Sequence, residues 1–264
     1  MRLHRILTHH HLETLRMPYA ENKGLKIHYR VEGEGPALVL QHGSTSALQA
    51  WELFGYTERL KPHYQLVMID ARGHGLSDKP HDSELYQLPL RVSDVVAVLD
   101  ALDIRQAHYW GYSMGGWIGF GMAKYARSRL KSLIIGGAHP YADPAPDFYG
   151  VDGRDPELFI KALESFAGVA FSREAKTWIL GNDLQALAAA MHDRDSIEDV
   201  CSAIDLPCLL YAGGKDPRIS KVTRCARLIK DAALLSFPES DSAIPALRYC
   251  SARGHEVPEL PRVS

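Results

Sequence analysis

Ser113 lies in the sequence Gly111-Tyr112-Ser113-Met114-Gly115, between a short apolar run and a longer stretch rich in Gly and Ala. A strand that turns within a few residues into a helix needs glycines on both sides of the turn, because a Cβ there would collide with the reversing chain. Such a turn exposes the serine hydroxyl at the end of the sheet. It also directs the N–H of Met114 toward a site where a helix N-terminus stabilises an oxyanion. The pattern therefore predicts that Ser113 is the nucleophile of an acyl-transfer reaction.

A second loop, His42-Gly43-Ser44, follows the apolar run at residues 37–41. An oxyanion hole needs two converging N–H donors, and we expect them from Met114 and Ser44. His42 could be taken for a catalytic base, but its place before a glycine at a strand end favours a role in bracing the loop. For Trp51, core packing is an alternative to lining the pocket. The candidate substrate-binding residues are His42, Tyr112, Trp51 and His139.

A polar segment with two glycines, DARGHGLSD at residues 70–78, follows another apolar run. On its own it could be a phosphate-binding loop, but it lacks the GxxxxGK[ST] pattern and no helix is predicted directly after it. We interpret it as a structural turn near the site.

Short apolar runs alternate with longer helical patterns along the chain, which is typical of a mostly parallel sheet covered by helices. The central runs are almost entirely apolar, as expected for strands buried on both faces. The predicted strands are residues 25–31, 37–41, 65–70, 107–111, 130–136, 208–213 and 233–237. The predicted helices between them are residues 90–102, 114–126 and 218–229. This pattern predicts an α/β fold.

The segment at residues 140–206 interrupts this alternation, because it contains no convincing strand. Helical patterns occur near residues 156–166, 173–180, 183–191 and 196–204, after a Pro/Gly/Asp-rich entry that is typical of loops. We interpret the segment as a helical cap inserted into the sheet, with a separate domain as the alternative. The predicted organisation is a tail (1–16), an α/β core (17–139 and 207–264, with an atypical C-terminal tail at 239–264) and the cap (140–206).

Four motifs in this order resemble those of the α/β-hydrolase superfamily, in particular its small esterase, lactonase and haloperoxidase-like members. They are HG at 42–43, DARGHGLSD at 70–78, GYSMGG at 111–116 and LLYAGGKD at 209–216. The resemblance extends from about residue 17 to residue 238. It implies an eight-stranded, mostly parallel sheet, a helical cap after the sixth strand, and the chain order nucleophile, acid, histidine. By this resemblance Asp216 is the acid that holds the imidazole of the base in its useful tautomer.

The chain departs from this family pattern where the catalytic histidine is expected. The last predicted strand leads into Pro-Glu-Ser-Asp-Ser at residues 238–242, and the only histidine after Asp216 is His255. Three interpretations follow. His255 reaches back to the site, and we favour this one; His139, at the end of the strand 130–136, replaces it; or the base is missing and the protein is a binding protein or an impaired enzyme.

Composition excludes several classes of function. The chain has 264 residues, 46% of them hydrophobic, 23% charged and a formal net charge of −2, so no basic face for nucleic acid is evident. No run is long enough to span a bilayer, and the N-terminus lacks a secretory h-region. The histidines at positions 9–11 could bind a metal, but we favour a simple tail because no carboxylate or cysteine completes a site. The four cysteines lack CxxC spacing, and we expect buried thiols rather than disulfides or zinc ligands. We predict a cytoplasmic, cofactor-free hydrolase that cleaves a small-molecule ester, with a homodimer as the candidate assembly.

Overall fold

A computed structural model describes residues 18–238. Within this range eight strands form one sheet in the order β1-β2-β4-β3-β5-β6-β7-β8. The strands are β1 (Tyr19–Asn22), β2 (Leu25–Glu32), β3 (Ala37–Gln41), β4 (Gln65–Ile69), β5 (Ala107–Tyr112), β6 (Leu130–Gly136), β7 (Cys208–Gly213) and β8 (Ala232–Phe237). Strand β2 pairs antiparallel with both β1 and β4, and every further pairing in this order, from β4 to β8, is parallel. The predicted mostly parallel eight-stranded sheet is confirmed.

Helices cover both faces of this sheet. Their bounds are α1 (Gln49–Leu53), α2 (Tyr56–Leu60), α3 (Leu88–Ala101), α4 (Met114–Tyr125), α5 (Pro156–Ala167), α6 (Arg173–Leu180), α7 (Leu184–Ala190), α8 (Val200–Ala203) and α9 (Ile219–Leu228). Successive side chains of a strand point to opposite faces. In β3, Val39 therefore enters one apolar cluster while Leu38 and Leu40 enter the other. Burial on both faces explains why the central strands are continuous apolar runs.

The segment between β6 and β7 contains helices α5 to α8, as the sequence pattern predicts. The predicted helix at residues 196–204 is mostly wrong, because only Val200–Ala203 is helical. The residues before Val200 form backbone hydrogen bonds with the segment that follows β6 and do not form a helix. Arg194 and Asp143 exchange two backbone hydrogen bonds (3.2 and 3.0 Å), and the N–H of Ile197 donates to Pro140 O (2.8 Å).

Three other observations concern the sequence predictions. Strand β1 and the two short helices α1 and α2 were not predicted. Cys201, Cys208 and Cys225 are free buried thiols, as expected. The predicted N-terminal tail, Cys250, the C-terminal tail at 239–264 and the favoured base His255 lie outside the described residues. No helix within residues 18–238 is long and apolar enough to cross a membrane.

Candidate active site

Ser113 occupies the turn between β5 and α4 with an unusual backbone conformation. Its φ is +51° and its ψ is −112°, a conformation that residues with a Cβ rarely adopt. The turn is fixed by two backbone hydrogen bonds: the N–H of Ser113 donates to Gly136 O (2.7 Å), and the N–H of Trp117 donates to Ser113 O (2.9 Å). No side chain among residues 18–238 hydrogen-bonds to the half-buried Ser113 hydroxyl. The backbone therefore fixes the position of Ser113, and its hydroxyl has no side-chain partner among the described residues.

Two glycines allow this turn to form. A Cβ on Gly111 would lie 2.7 Å from Gly116 N and closer still to Gly115 O. A Cβ on Gly115 would lie 2.8 Å from His42 O and closer still to Gln41 O. Both glycines are therefore required by close backbone approach, and α4 packs directly against the loop that follows β3.

The loop that bears Ser44 lies against the turn of Ser113. A Cβ on Gly43 would lie 3.4 Å from the Cβ of Ser113, so the loop and the turn are in contact. The N–H of Ser44 donates to no backbone oxygen within residues 18–238, and the N–H of Met114, as the first residue of α4, has no intrahelical acceptor. Ser44 and Met114 also line one pocket. Ser44 thus follows a residue in contact with the Ser113 turn, Met114 follows Ser113 itself, and neither amide expected to form the oxyanion hole is used by secondary structure.

His42 is buried, with both ring nitrogens engaged by the backbone. Its Nε2 accepts from the N–H of Ala71 (3.1 Å), so Nδ1 carries the proton and donates to Gly43 O (2.7 Å). Burial lowers the pKa of His42, which opposes protonation. The imidazole therefore links the loop after β3 to the turn after β4, and no ring nitrogen is left to take a proton from Ser113.

The predicted structural turn after β4 is organised by Asp70. This carboxylate is fully buried and accepts from the N–H groups of Leu48 (2.8 Å) and Leu76 (3.0 Å) and from His28 Nδ1 (2.7 Å). The contacts reach three different segments around the loop that carries Ser44. Asp70 therefore links the loop after β3, which carries Ser44, to β2 and to the turn after β4.

Asp216 follows β7 and is buried, with 1% of its surface exposed. The loop after β6 separates it from the nucleophile turn: a Cβ on Gly137 would lie 3.7 Å from Asp216 Oδ2 and 3.2 Å from the ring of Tyr112. Arg218 binds both carboxylate oxygens, through its backbone N–H (2.9 Å), Nε (2.8 Å) and Nη2 (3.2 Å). Sequence reasoning missed this arginine, which stands two residues after the acid.

His139 lies on the loop after β6 and is 4% exposed. Neither of its ring nitrogens has a hydrogen-bond partner within residues 18–238, and the nearest carboxylate oxygen, Asp143 Oδ1, is 3.9 Å from Nε2. Burial lowers the pKa of His139 to about 4, while Asp143 opposes the shift. It is therefore a neutral, unpartnered imidazole at neutral pH.

Two pockets meet at Ser44. One is aromatic and is lined by the predicted residues His42, Trp51 and Tyr112, together with Phe54, Tyr56 and Tyr211. Trp51 also packs edge-on against Tyr56 and Trp110 in the core, so lining and packing are compatible roles. The other pocket is lined by Met114, Trp117, Arg91 and Arg194.

Sequence reasoning missed both arginines. Arg91 could have been found, because it lies one helical turn before Val95 on the apolar face of α3.

The helical segment between β6 and β7 contacts the loop after β3, which carries Ser44. In α6, the indole N–H of Trp178 donates to Thr45 O (3.0 Å), the residue that follows Ser44. Thr45 has a φ of +61°. The helical segment therefore borders the candidate site at the loop after β3. Within residues 18–238 no group of three or more His, Cys, Asp or Glu side chains could hold a metal ion.

Comparisons with known proteins agree with this geometry. Residues 36–173, just over half of the chain, match the family model described as alpha/beta hydrolase fold. The chain is 26% identical over 218 residues to 3-oxoadipate enol-lactonase 1 of Acinetobacter baylyi, covering 75% of this chain and 77% of that protein. It is 36% identical over 125 residues to cis-3-alkyl-4-alkyloxetan-2-one decarboxylase of Shewanella oneidensis, covering 44% of this chain but only 37% of that protein. The first curated relatives are likewise matched over less than half of their length.

A solved structure is similar over nearly the whole chain. It is that of Est816, described as an N-acyl homoserine lactone degrading enzyme, with 25% identity and a TM-score of 0.72. The comparison covers 89% of this chain and 97% of that chain.

Proposed function

Since this chain belongs to the alpha/beta hydrolase fold family, we propose that it is a serine hydrolase that cleaves carboxylic esters or lactones through an acyl-enzyme on Ser113. One observation carries the proposal: a hydroxyl without a side-chain partner lies in a strained turn, in contact with the loop that bears Ser44. The relatives support this substrate range, because an enol-lactonase and an enzyme that degrades a homoserine lactone are both similar to the chain.

The proposed reaction has two steps. A histidine takes the proton of Ser113 Oγ, which attacks the carbonyl carbon, and the N–H groups of Ser44 and Met114 hold the oxyanion. Collapse of the tetrahedral intermediate breaks the C–O bond, and the leaving alkoxide takes the proton from the imidazolium. Water then adds to the acyl-enzyme by the same route and releases the carboxylic acid and free Ser113.

The base is proposed to be His255, with His139 as the alternative. His139 is neutral, and neither ring nitrogen has a hydrogen-bond partner within residues 18–238, so its unprotonated nitrogen is available to accept a proton. Its lowered pKa makes it a weak base. Asp216 is proposed to orient the base.

A serine nucleophile limits the classes of substrate that the protein could turn over. Epoxide hydrolases are among the relatives of the chain. Attack of a serine hydroxyl on an epoxide would give a serine ether, which has no acyl carbon for water to attack. We therefore propose acyl chemistry for Ser113 and not epoxide opening.

A fluorophosphonate probe tests the proposal, because it phosphonylates only an activated serine. We expect rapid labelling of the wild type at Ser113, none in Ser113→Ala, and wild-type labelling in the control Ser128→Ala, an exposed serine that lines neither pocket. Hydrolysis of p-nitrophenyl acetate should follow the same pattern. A wild-type protein that neither labels nor hydrolyses would refute the proposal.

A second candidate function is a hydrolase-fold binding protein with little turnover. The observation that favours it is the pairing of Asp216 with Arg218, which occupies both carboxylate oxygens. This candidate predicts slow labelling of the wild type by the fluorophosphonate probe. Arg218→Met should label faster, because the substitution releases the Asp216 carboxylate to orient a histidine.

A further inference from the structure

Two arginine side chains line the pocket next to the oxyanion loop. Arg91 comes from α3, and Arg194 from the segment between α7 and α8. Both guanidinium groups lie against the indole of Trp117, with their Cζ atoms 5.7 and 5.1 Å from the ring centroid. Ser44 and Met114 line the same pocket. Two positive charges therefore lie beside the place proposed for the scissile carbonyl.

Arg91 is buried without a negatively charged partner. It is 3% exposed and donates to two backbone carbonyls, Tyr86 O (2.7 Å) and Ala190 O (3.0 Å), and to the sulfur of Met114 (3.0 Å). No carboxylate among residues 18–238 lies within ion-pair distance of it. Of the two carboxylates in its own helix, Asp94 accepts two hydrogen bonds from Arg72 (2.6 and 2.7 Å) and Asp100 pairs with Arg129. A buried charge is costly unless an opposite charge or strong acceptors compensate it.

Arg194 is also poorly matched. Its side chain makes no hydrogen bond within residues 18–238, and the nearest carboxylate oxygen is Asp143 Oδ2 at 4.0 Å. That carboxylate also faces Lys221 Nζ (3.7 Å) and His139 Nε2 (3.9 Å), so one anion is shared by two cations and an imidazole. His192, which lines the same pocket, has a buried Nδ1 without a partner. Asp143 also lines the pocket, but its single negative charge faces both Arg194 and Lys221, so the positive charge of Arg91 has no anionic partner among the described residues.

We infer that this pocket binds a carboxylate group of the substrate, held between Arg91 and Arg194, while the apolar part of the substrate lies in the aromatic pocket on the other side of Ser44. Guanidinium groups suit carboxylates because their planar donors match the two oxygens. The inference rests on the proposed function for the identity of the scissile bond. The substrate class is then an ester or lactone that carries a second, free carboxylate.

A matched pair of esters tests the inference. Mono-p-nitrophenyl adipate carries a free carboxylate, and its methyl ester has the same chain without the charge. We expect kcat/KM of the wild type to favour the acid by roughly 10-fold or more, as one charged hydrogen bond provides. Arg194→Gln should lose most of this preference, because the positive charge that binds the carboxylate is removed. The variant should still fold, since the Arg194 side chain makes no hydrogen bond within residues 18–238. The control Arg154→Gln, an exposed arginine outside the pocket, should keep it.

Binding to a catalytically inactive variant separates the two proposals. Calorimetric titration of Ser113→Ala with adipate should show binding that Ser113→Ala/Arg194→Gln weakens about 10-fold or more. If the wild type hydrolyses both esters equally and Ser113→Ala binds no adipate, the carboxylate pocket is refuted and the hydrolase proposal stands. If adipate binds through Arg194 but neither ester is hydrolysed, the hydrolase proposal fails and the anion site stands.

Discussion

Gly115→Ala should separate the catalytic role of the nucleophile turn from its role in stability. The added Cβ would lie 2.8 Å from His42 O and closer to Gln41 O, both backbone atoms that cannot rotate away. Ordinary contact needs roughly 3.5 Å, so the loop after β3 must retreat by about 0.7 Å or more. Ser44 moves with that loop, and its N–H leaves the position that it has beside Ser113.

The magnitude follows from this displacement. A misplacement of about 1 Å costs on the order of 100-fold in rate, and the loss of one oxyanion donor costs about 100- to 1,000-fold. We therefore expect kcat for p-nitrophenyl acetate to fall about 100-fold, which corresponds to about 2.7 kcal/mol of transition-state stabilisation. Overpacking should lower the free energy of unfolding by about 1 to 3 kcal/mol.

Gly121→Ala is the matched control in the same helix. Its Cβ would meet Leu88 Cδ1 (2.6 Å) and Val92 Cγ2 (2.8 Å), the ends of side chains that can move, far from the loop of Ser44. Thermal unfolding and kcat are measured for both variants. We expect Gly121→Ala to change stability with kcat within about threefold of wild type. A folded Gly115→Ala variant that keeps wild-type kcat would refute the assigned role of the loop.

Two further predictions concern buried titratable groups. If His139 is the base, the acid limb of the kcat/KM profile should lie near pH 4, because the imidazole loses its acceptor only below its lowered pKa; a limb near pH 6.5 that persists in His139→Ala assigns the base elsewhere. Asp70→Asn should lower the free energy of unfolding in urea by about 2 to 4 kcal/mol, because the amide NH₂ faces donors. Burial opposes ionisation of Asp70, but the hydrogen bond from His28 and its other partners lower its pKa overall. Its stabilisation is therefore present above the unfolded pKa of about 4 and lost as pH falls through the folded pKa, and an unchanged acid profile in Asp70→Asn would contradict this.

The sequence predicted the sheet and the nucleophile turn well because both are local patterns. β3 and β6 are apolar runs whose ends coincide with the predicted ones, and the glycines around Ser113 report a backbone collision that no side chain can avoid. Strand β1 was missed because its four residues, Tyr19–Asn22, are too few to show a period. The helix at 196–204 was overestimated because pairing with the chain after β6 outweighs its local preference.

The candidate site was only partly predictable, since its charges come together from distant segments. Arg91 and Arg194 are 103 positions apart, and only the packing of both against Trp117 reveals a shared pocket. The pairing of Asp216 with Arg218 depends on how the chain bends after β7, which the residue types do not specify. In contrast, the loop at Ser44 was located from its place after β3.

The left-handed backbone at residue 113 has an evolutionary consequence. Only glycine adopts such a conformation without steric cost, so the serine at this position lowers the folding free energy available to the chain. A single Ser-to-Gly change would relax the turn and remove the hydroxyl at the same time. Under the proposed function, selection for stability and selection for turnover act on this residue in opposite directions, and a more stable but inactive variant is one substitution away.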